Sequence, residues 1–298
     1  RPMPTVGRVV HIGSASRLVY RDLQLVVQRE GEPEGLVPLE DIAVVVCDFA
    51  AITVTEPLLT ALAEGGVALV VCDARHIPSG VLLPLAGASL HAKVLRDQIA
   101  ATVRRKKRIW QAIVKAKILA QADVLQRNTG YDRGLRALSK VVGSGDPGNC
   151  EARAARLYFP ALFGAAFIRD PERTGVNAML NYGYAVLRAA VARAIVGAGL
   201  HPALGVHHRN EYDAFALAGD AMEPLRPLID DRVYHLMPAH GSEEELSVGT
   251  RAELVRVLTE EVVWDGERVS LFTALERYAA HLRACIVGEE ARLQCPVV

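Results

Sequence analysis

Apolar and polar residues follow two different rhythms along the 298-residue chain, and the change falls near residue 90. Before it, the pattern predicts strands. Gly7–Ile12 (GRVVHI) is rich in β-branched residues, and Leu18–Tyr20 and Leu23–Val27 flank Arg21-Asp22 like the arms of a hairpin. Ile42–Cys47 (IAVVVC) and Val67–Cys72 (VALVVC) are short unbroken apolar runs, the pattern of buried strands. Between them, Thr55–Gly66 has a threonine start, proline in the first turn and a glycine stop, which predicts a helix. The result is a strand–helix–strand unit inside a small β-rich region ending near Val81–Pro84.

From His91 the period lengthens. Leu95, Ile99, Val103, Trp110, Ile113, Val114 and Ile118 recur at helical spacing. Further helices are predicted after Asn149, through Asn177–Val196, and over Arg251–Glu260 and Leu271–Leu282. The expected fold class is α+β: a small β-rich N-terminal domain, residues 1–90, followed by a larger all-α domain, residues 91–298.

Composition adds exclusions. With 51% hydrophobic and 23% charged residues, the chain can build real cores and is not globally disordered. Five widely spaced cysteines, without a C-x-x-C pair, argue against a disulfide framework or zinc finger and for a reducing cytosol. The absence of an eighteen-residue apolar run or a signal-like start leads to the expectation of a soluble, cytoplasmic chain.

Formal net charge is zero, but its distribution is uneven. Residues 1–90 carry six Lys/Arg against ten Asp/Glu, and residues 91–119 carry nine against the single Asp97. The basic run Arg104–Arg108 (RRKKR) has almost no local acidic partner, so phosphates of a polyanion are expected to complete it. The acidic β-rich half is a poor nucleic-acid site, and scaffolding or dimerisation suits it better.

Candidate chemistry concentrates in Gly199–Asp231. Here His201, His207 and His208 stand among six carboxylates: Glu211, Asp213, Asp220, Glu223, Asp230 and Asp231. Imidazole plus carboxylate is a ligand set suited to magnesium or manganese. Asp220 and Glu223 share a face if that piece is helical. The same spacing also reads as a capping-box variant that needs no ion, although Pro224 would start the helix after Glu223 instead. Gly143–Gly148 is formally G-x-G-x-x-G but lacks the strand–turn–helix context, so it reads as a plain loop. Asn149 is the expected cap of the next helix, with Glu151 in its first turn. Asn177 and Asn181, one turn apart, suit either helix–helix hydrogen bonds or phosphate contacts.

Four ordered blocks carry a family resemblance: GDPGNCEARAARLYFPALFG (Gly145–Gly164), NAMLNYGYAVLR (Asn177–Arg188), GLHPALGVHH (Gly199–His208) and DAMEPLRPLID (Asp220–Asp230). Together with PLEDIAVVVC, TEPLL and RHIPSGVLLPL in the first half, they resemble the CRISPR-associated integrase of the adaptation module, in the branch that accompanies type II systems. The resemblance implies a β-rich dimerisation domain, a helical catalytic domain, and metal-dependent endonuclease and integrase activity. In that activity a 3′-hydroxyl of captured spacer DNA attacks a phosphodiester of the CRISPR array. By motif position it implies a Mg2+ or Mn2+ site built from Glu151, His208 and Glu223, with Asp220 as a further acidic residue. The Gly-x-x-His pattern counted from Gly205 selects His208 over His207. Ala152 departs from the family's usual glycine after the catalytic Glu. Implied partners are double-stranded DNA, both prespacer and leader–repeat, and a small ferredoxin-like second adaptation protein whose dimer is flanked by two homodimers of this chain. Two other readings compete: a non-catalytic DNA-binding scaffold, and an unrelated metallohydrolase using His201, His207 and Glu211.

Overall fold

The computed structural model describes residues 7–74, 76, 78–84, 91–240 and 246–298. The first half contains β1 (Arg8–Ile12), β2 (Ser16–Arg21), β3 (Gln24–Gln28), β4 (Gly35–Pro38), β5 (Ile42–Cys47), β6 (Ile52–Val54), α1 (Glu56–Glu64), β7 (Ala68–Cys72) and β8 (Pro78–Leu82). They form two four-stranded sheets, ordered β1-β5-β7-β8 and β4-β3-β2-β6. In the first, β1, β5 and β7 run parallel and β8 pairs antiparallel. The unbroken apolar run of β5 has a direct cause: both faces of the strand are covered. Ile42, Val45 and Cys47 pack with the second sheet and α1. Ala43, Val44 and Val46 join the core of the helical half.

The hairpin forms one residue later than expected. Arg21 pairs with Gln24, so Asp22 and Leu23 make the turn, at φ +51° and +61°. Two positive φ values are what a two-residue turn matching strand twist requires, and they leave Leu23 exposed. Thr55 precedes α1 as predicted, but its hydroxyl donates to the Leu18 carbonyl and does not cap the helix.

The second half contains α2 (His91–Ala100), α3 (Val103–Thr129), α4 (Leu135–Lys140), α5 (Cys150–Phe163), α6 (Val176–Gly197), α7 (Ala216–Met222), α8 (Arg226–His240), α9 (Val248–Arg256) and α10 (Leu271–Val287). One two-stranded ribbon, β9 (Glu261–Trp264) and β10 (Glu267–Ser270), interrupts it before α10, a feature the helical pattern did not foretell. The α+β class holds: a β-sheet region followed by a helical one. Almost every face of α6 is buried, and α7, α8, α9 and α10 pack around it. Gly183 permits the closest approach; a Cβ there would stand 2.5 Å from the Ile229 side chain on α8.

The halves are joined by a buried ionic hub. Asp48, just past β5, is fully buried and accepts from Arg251 Nε of α9 at 2.5 Å and Tyr182 Oη of α6 at 3.2 Å. The His76 ring Nδ1 and the His11 ring Nε2 lie 2.8 and 3.1 Å from the same carboxylate. Burial alone would raise the Asp48 pKa, but His11, His76 and Arg251 outweigh it and hold the group below its ordinary value.

Candidate active site

Glu151 stands in the first turn of α5. Asp146, not Asn149, caps that helix: its carboxylate accepts from the Cys150 and Glu151 amides at 2.9 and 3.0 Å. Asn149 takes a left-handed conformation with φ +48° and its side chain makes no cap. The GSGDPG stretch is a loop, as expected, and serves to present Glu151.

Glu223 lies in the single 3-10 turn that links α7 to α8, with Pro224 inside it. The capping-box reading of Asp220 and Glu223 is not what forms. Instead, Glu151 and Glu223 converge on the Lys117 ammonium from α3, which lies 2.7 Å from Glu151 Oε1 and 2.5 Å from Glu223 Oε2. On the other side, Arg226 Nε approaches Glu223 Oε1 at 2.8 Å, and the guanidinium lies 4.5 Å from the centre of the Tyr184 ring. Burial would raise the Glu223 pKa, yet Lys117 and Arg226 outweigh it and keep the carboxyl below its usual value. Burial likewise opposes the charge on Lys117, and Glu223 and Glu151 reverse that effect, so the ammonium is held above its ordinary pKa.

His208 is placed by Asp220, which α7 buries completely. Asp220 Oδ2 accepts from the Val206 and His207 amides, both at 2.8 Å, and Oδ1 lies 2.5 Å from His208 Nδ1. That bond, opposed by partial burial, raises the His208 pKa. The tight loop explains the glycine of Gly-x-x-His: a Cβ on Gly205 would stand 2.4 Å from the His208 carbonyl oxygen and 3.0 Å from Asp220 Oδ2. Gln98 of α2 fastens the loop from behind by donating to the His201 and Leu204 carbonyls and accepting from the His201 amide. The adjacent His207 stacks on Trp110 of α3, with ring centres 4.2 Å apart and planes 3° from parallel, and meets the His208 ring edge-on at 5.0 Å.

A cleft of about 390 Å³ adjoins these groups, with His208, Glu223, Arg226, Arg188, Asn181 and Tyr184 in its wall. The hydrogen bonds of Asn177 and Asn181 go to the segment before α6 and not to a second helix: they bind Arg169 and backbone at Ile168, Asp170 and Pro171. Of the basic run, Arg104, Lys107 and Arg108 are exposed, whereas Arg105 donates to the Ile286 carbonyl near the end of α10. Among the described residues no three His, Cys, Asp or Glu side chains already stand in a ligating arrangement, including the set His201, His207 and Glu211.

In the sequence Lys117 stands as one more positive charge of the basic segment. A signal was present: Trp110, Ile113, Val114, Ile118 and Gln121 are the buried stripe of α3, and Lys117 falls on it. A lysine on an apolar stripe demands anionic partners.

A family model described as CRISPR associated protein Cas1 matches residues 10–245. The chain belongs to the Cas1 family. It is 42% identical over 288 residues to the CRISPR-associated endonuclease Cas1 of Neisseria meningitidis serogroup C (strain 8013), covering 96% of this Cas1 chain and 94% of the relative. Among solved structures, a casposase bound to integration product superposes with TM-score 0.78 at 19% identity, over 97% of this chain and 92% of that one. A Cas6-RT-Cas1–Cas2 complex gives TM-score 0.74 at 18% identity, over 98% of this chain and 36% of the longer one. At those identities the likeness is one of fold. No helix among the described residues is long and apolar enough to cross a membrane.

Proposed function

We propose that this protein is a metal-dependent DNA endonuclease and integrase that inserts captured spacer DNA into a CRISPR array. One observation carries the reading: two carboxylates from distant segments, Glu151 and Glu223, converge on a single positive charge beside His208. The donor set fits a divalent cation, Mg2+ or Mn2+. Hard oxygens of two carboxylates already contact one cationic centre, and an Nδ1 that donates to Asp220 leaves the lone pair of His208 on Nε2. Glu151, His208 and Glu223 are the ligands in this reading. Asp220, whose oxygens serve backbone amides and the His208 ring, orients the histidine and is not a fourth ligand.

The metal, when bound, supplies Lewis-acid stabilisation of the charge that develops on the phosphodiester oxygens. Arg188 and Arg226 in the cleft wall hold the phosphate to be attacked. Exposed Arg104, Lys107 and Arg108 hold the duplex backbone without reading sequence. The Cas1 relative named as an endonuclease and the casposase with its integration product support the nucleolytic and strand-transfer chemistry. The complex containing Cas1 and Cas2 supports a small second adaptation protein as partner. The β-rich residues 1–90 would make the homodimer, two of which flank that partner, and residues 91–298 would carry catalysis.

The test is strand transfer into a leader–repeat duplex with the partner present. Activity should require Mn2+ or Mg2+, vanish with EDTA, and vanish in Glu151→Gln while DNA binding persists. A Glu151→Gln protein that integrates normally would refute the assignment and favour a scaffold.

A further inference from the structure

We infer that Lys117 is a built-in competitor for the metal, an ammonium that must leave the carboxylate pair before a divalent cation can enter. The inference rests on the metal assignment above and adds a step to it: loading is an exchange of cations at an occupied position.

The geometry leaves little choice. Lys117 Nζ lies 2.7 Å from Glu151 Oε1 and 2.5 Å from Glu223 Oε2. Metal–oxygen bonds to Mg2+ are about 2.0–2.1 Å. A cation bound to both oxygens therefore claims the volume the ammonium fills. Two positive charges in contact within a largely buried pocket repel strongly, because little water screens them. The side chain is 12% exposed and Glu223 6%, so the competition takes place inside the protein and bulk salt weakens it little. Arg226 cannot be the group that yields: its guanidinium is held between Glu223 and the Tyr184 ring. Lys117 can yield, because its charge sits at the end of a flexible four-carbon stem.

The arrangement has two effects. Without metal, Lys117 prevents Glu151 and Glu223 from repelling one another, so the site stays assembled. With metal, every binding event must displace that ion pair, which weakens the apparent affinity.

The experiment is calorimetric titration of the full chain with MnCl2, paired with thermal unfolding in EDTA and in excess Mn2+. Lys117→Met removes the competitor and keeps the apolar stem. It should bind Mn2+ about tenfold more tightly than wild type, corresponding to roughly 1.4 kcal/mol. It should also unfold at a lower temperature than wild type in EDTA and recover with Mn2+. Equal or weaker Mn2+ affinity in Lys117→Met overturns the inference. If that variant folds under neither condition, Lys117→Arg decides. Its guanidinium grips carboxylates through two parallel bonds and competes harder, so Mn2+ should bind about tenfold more weakly; an unchanged affinity overturns the inference. Glu151→Gln is the separate control. Loss of Mn2+ binding there supports the metal assignment itself, and retention of wild-type binding sinks that assignment whatever Lys117 does.

Discussion

Replacing Arg251 by Met removes the cationic partner of a fully buried carboxylate, Asp48. Asp48 is wholly enclosed and Arg251 nearly so, at 0% and 3% side-chain exposure. Their ion pair spans 203 residues of sequence and ties the β5 end of the first sheet to α9. Breaking a buried pair by deleting one partner costs about 3–5 kcal/mol, because the surviving charge keeps its desolvation and loses its attraction. Tyr182, His11 and His76 still face Asp48, which places the expected loss near the lower end, about 3 kcal/mol. The assay is urea unfolding of the full chain at pH 7.5. A double-mutant cycle with Asp48→Asn isolates the pair, and the double variant should recover much of the loss because no charge remains unpaired. The pH sign follows from the depressed Asp48 pKa. A lowered carboxylate contributes stability present above its unfolded value, about 4, and lost as pH falls through the folded value. Arg251→Met should therefore lose less, relative to wild type, in strong acid. A loss of under about 1 kcal/mol at pH 7.5, the range of exposed surface pairs, would refute the account.

Burial, opposed by the Tyr184 hydroxyl, raises Asp230 to a pKa of about 6. Its stability contribution is therefore full below about pH 4 and fades as pH rises through about 6. Asp230→Asn should melt higher than wild type at pH 8, keep about half of that advantage at pH 5 and lose it below pH 4; parallel melting profiles would contradict this. His208→Ala should abolish strand transfer with DNA binding nearly intact, whereas His207→Ala, stacked on Trp110, should keep measurable turnover. The reverse pattern would exchange their roles. Charge reversal at Arg104 and Arg108 should weaken DNA binding for all sequences and flatten log K against log salt by about 0.9 for each duplex phosphate no longer neutralised. Arg105→Glu should instead lower thermal stability, since Arg105 serves the end of α10; a melting temperature equal to wild type would place it with the DNA-binding side chains.

What the sequence made legible was whatever a local period encodes. The apolar run of β5 and the first three residues of β7 are readable because covered strands need no polar alternation, and α3 is readable because its buried stripe persists for turns. The hairpin was displaced by one residue because Asp22 tolerates positive φ but neither neighbour is a typical positive-φ residue, and cross-strand pairing decided between them. At the site, Glu151, His208 and Glu223 were accessible through motif spacing. Lys117 and the Asp48 hub were not singled out, because their partners come from elsewhere in the chain: Glu151 is 34 residues from Lys117, and Arg251 is 203 from Asp48. The cap moved from Asn149 to Asp146 for a related reason. Left-handed backbone at both residues folds the loop back, which brings the earlier carboxylate over the helix start.

The Asp48 hub also limits how this protein can be rebuilt. Its five side chains come from both halves: His11, Asp48 and His76 from the β-rich half, Tyr182 and Arg251 from the helical half. A chimaera that takes its first half from one relative and its second from another inherits a matched hub only if both parents share all five. A parent with an apolar residue at position 48 would leave Arg251 stranded, and one lacking Arg251 would strand the carboxylate. Exchange between lineages should therefore succeed for whole chains more readily than for halves, and grafting a foreign β-rich half calls for carrying Tyr182 and Arg251 with it.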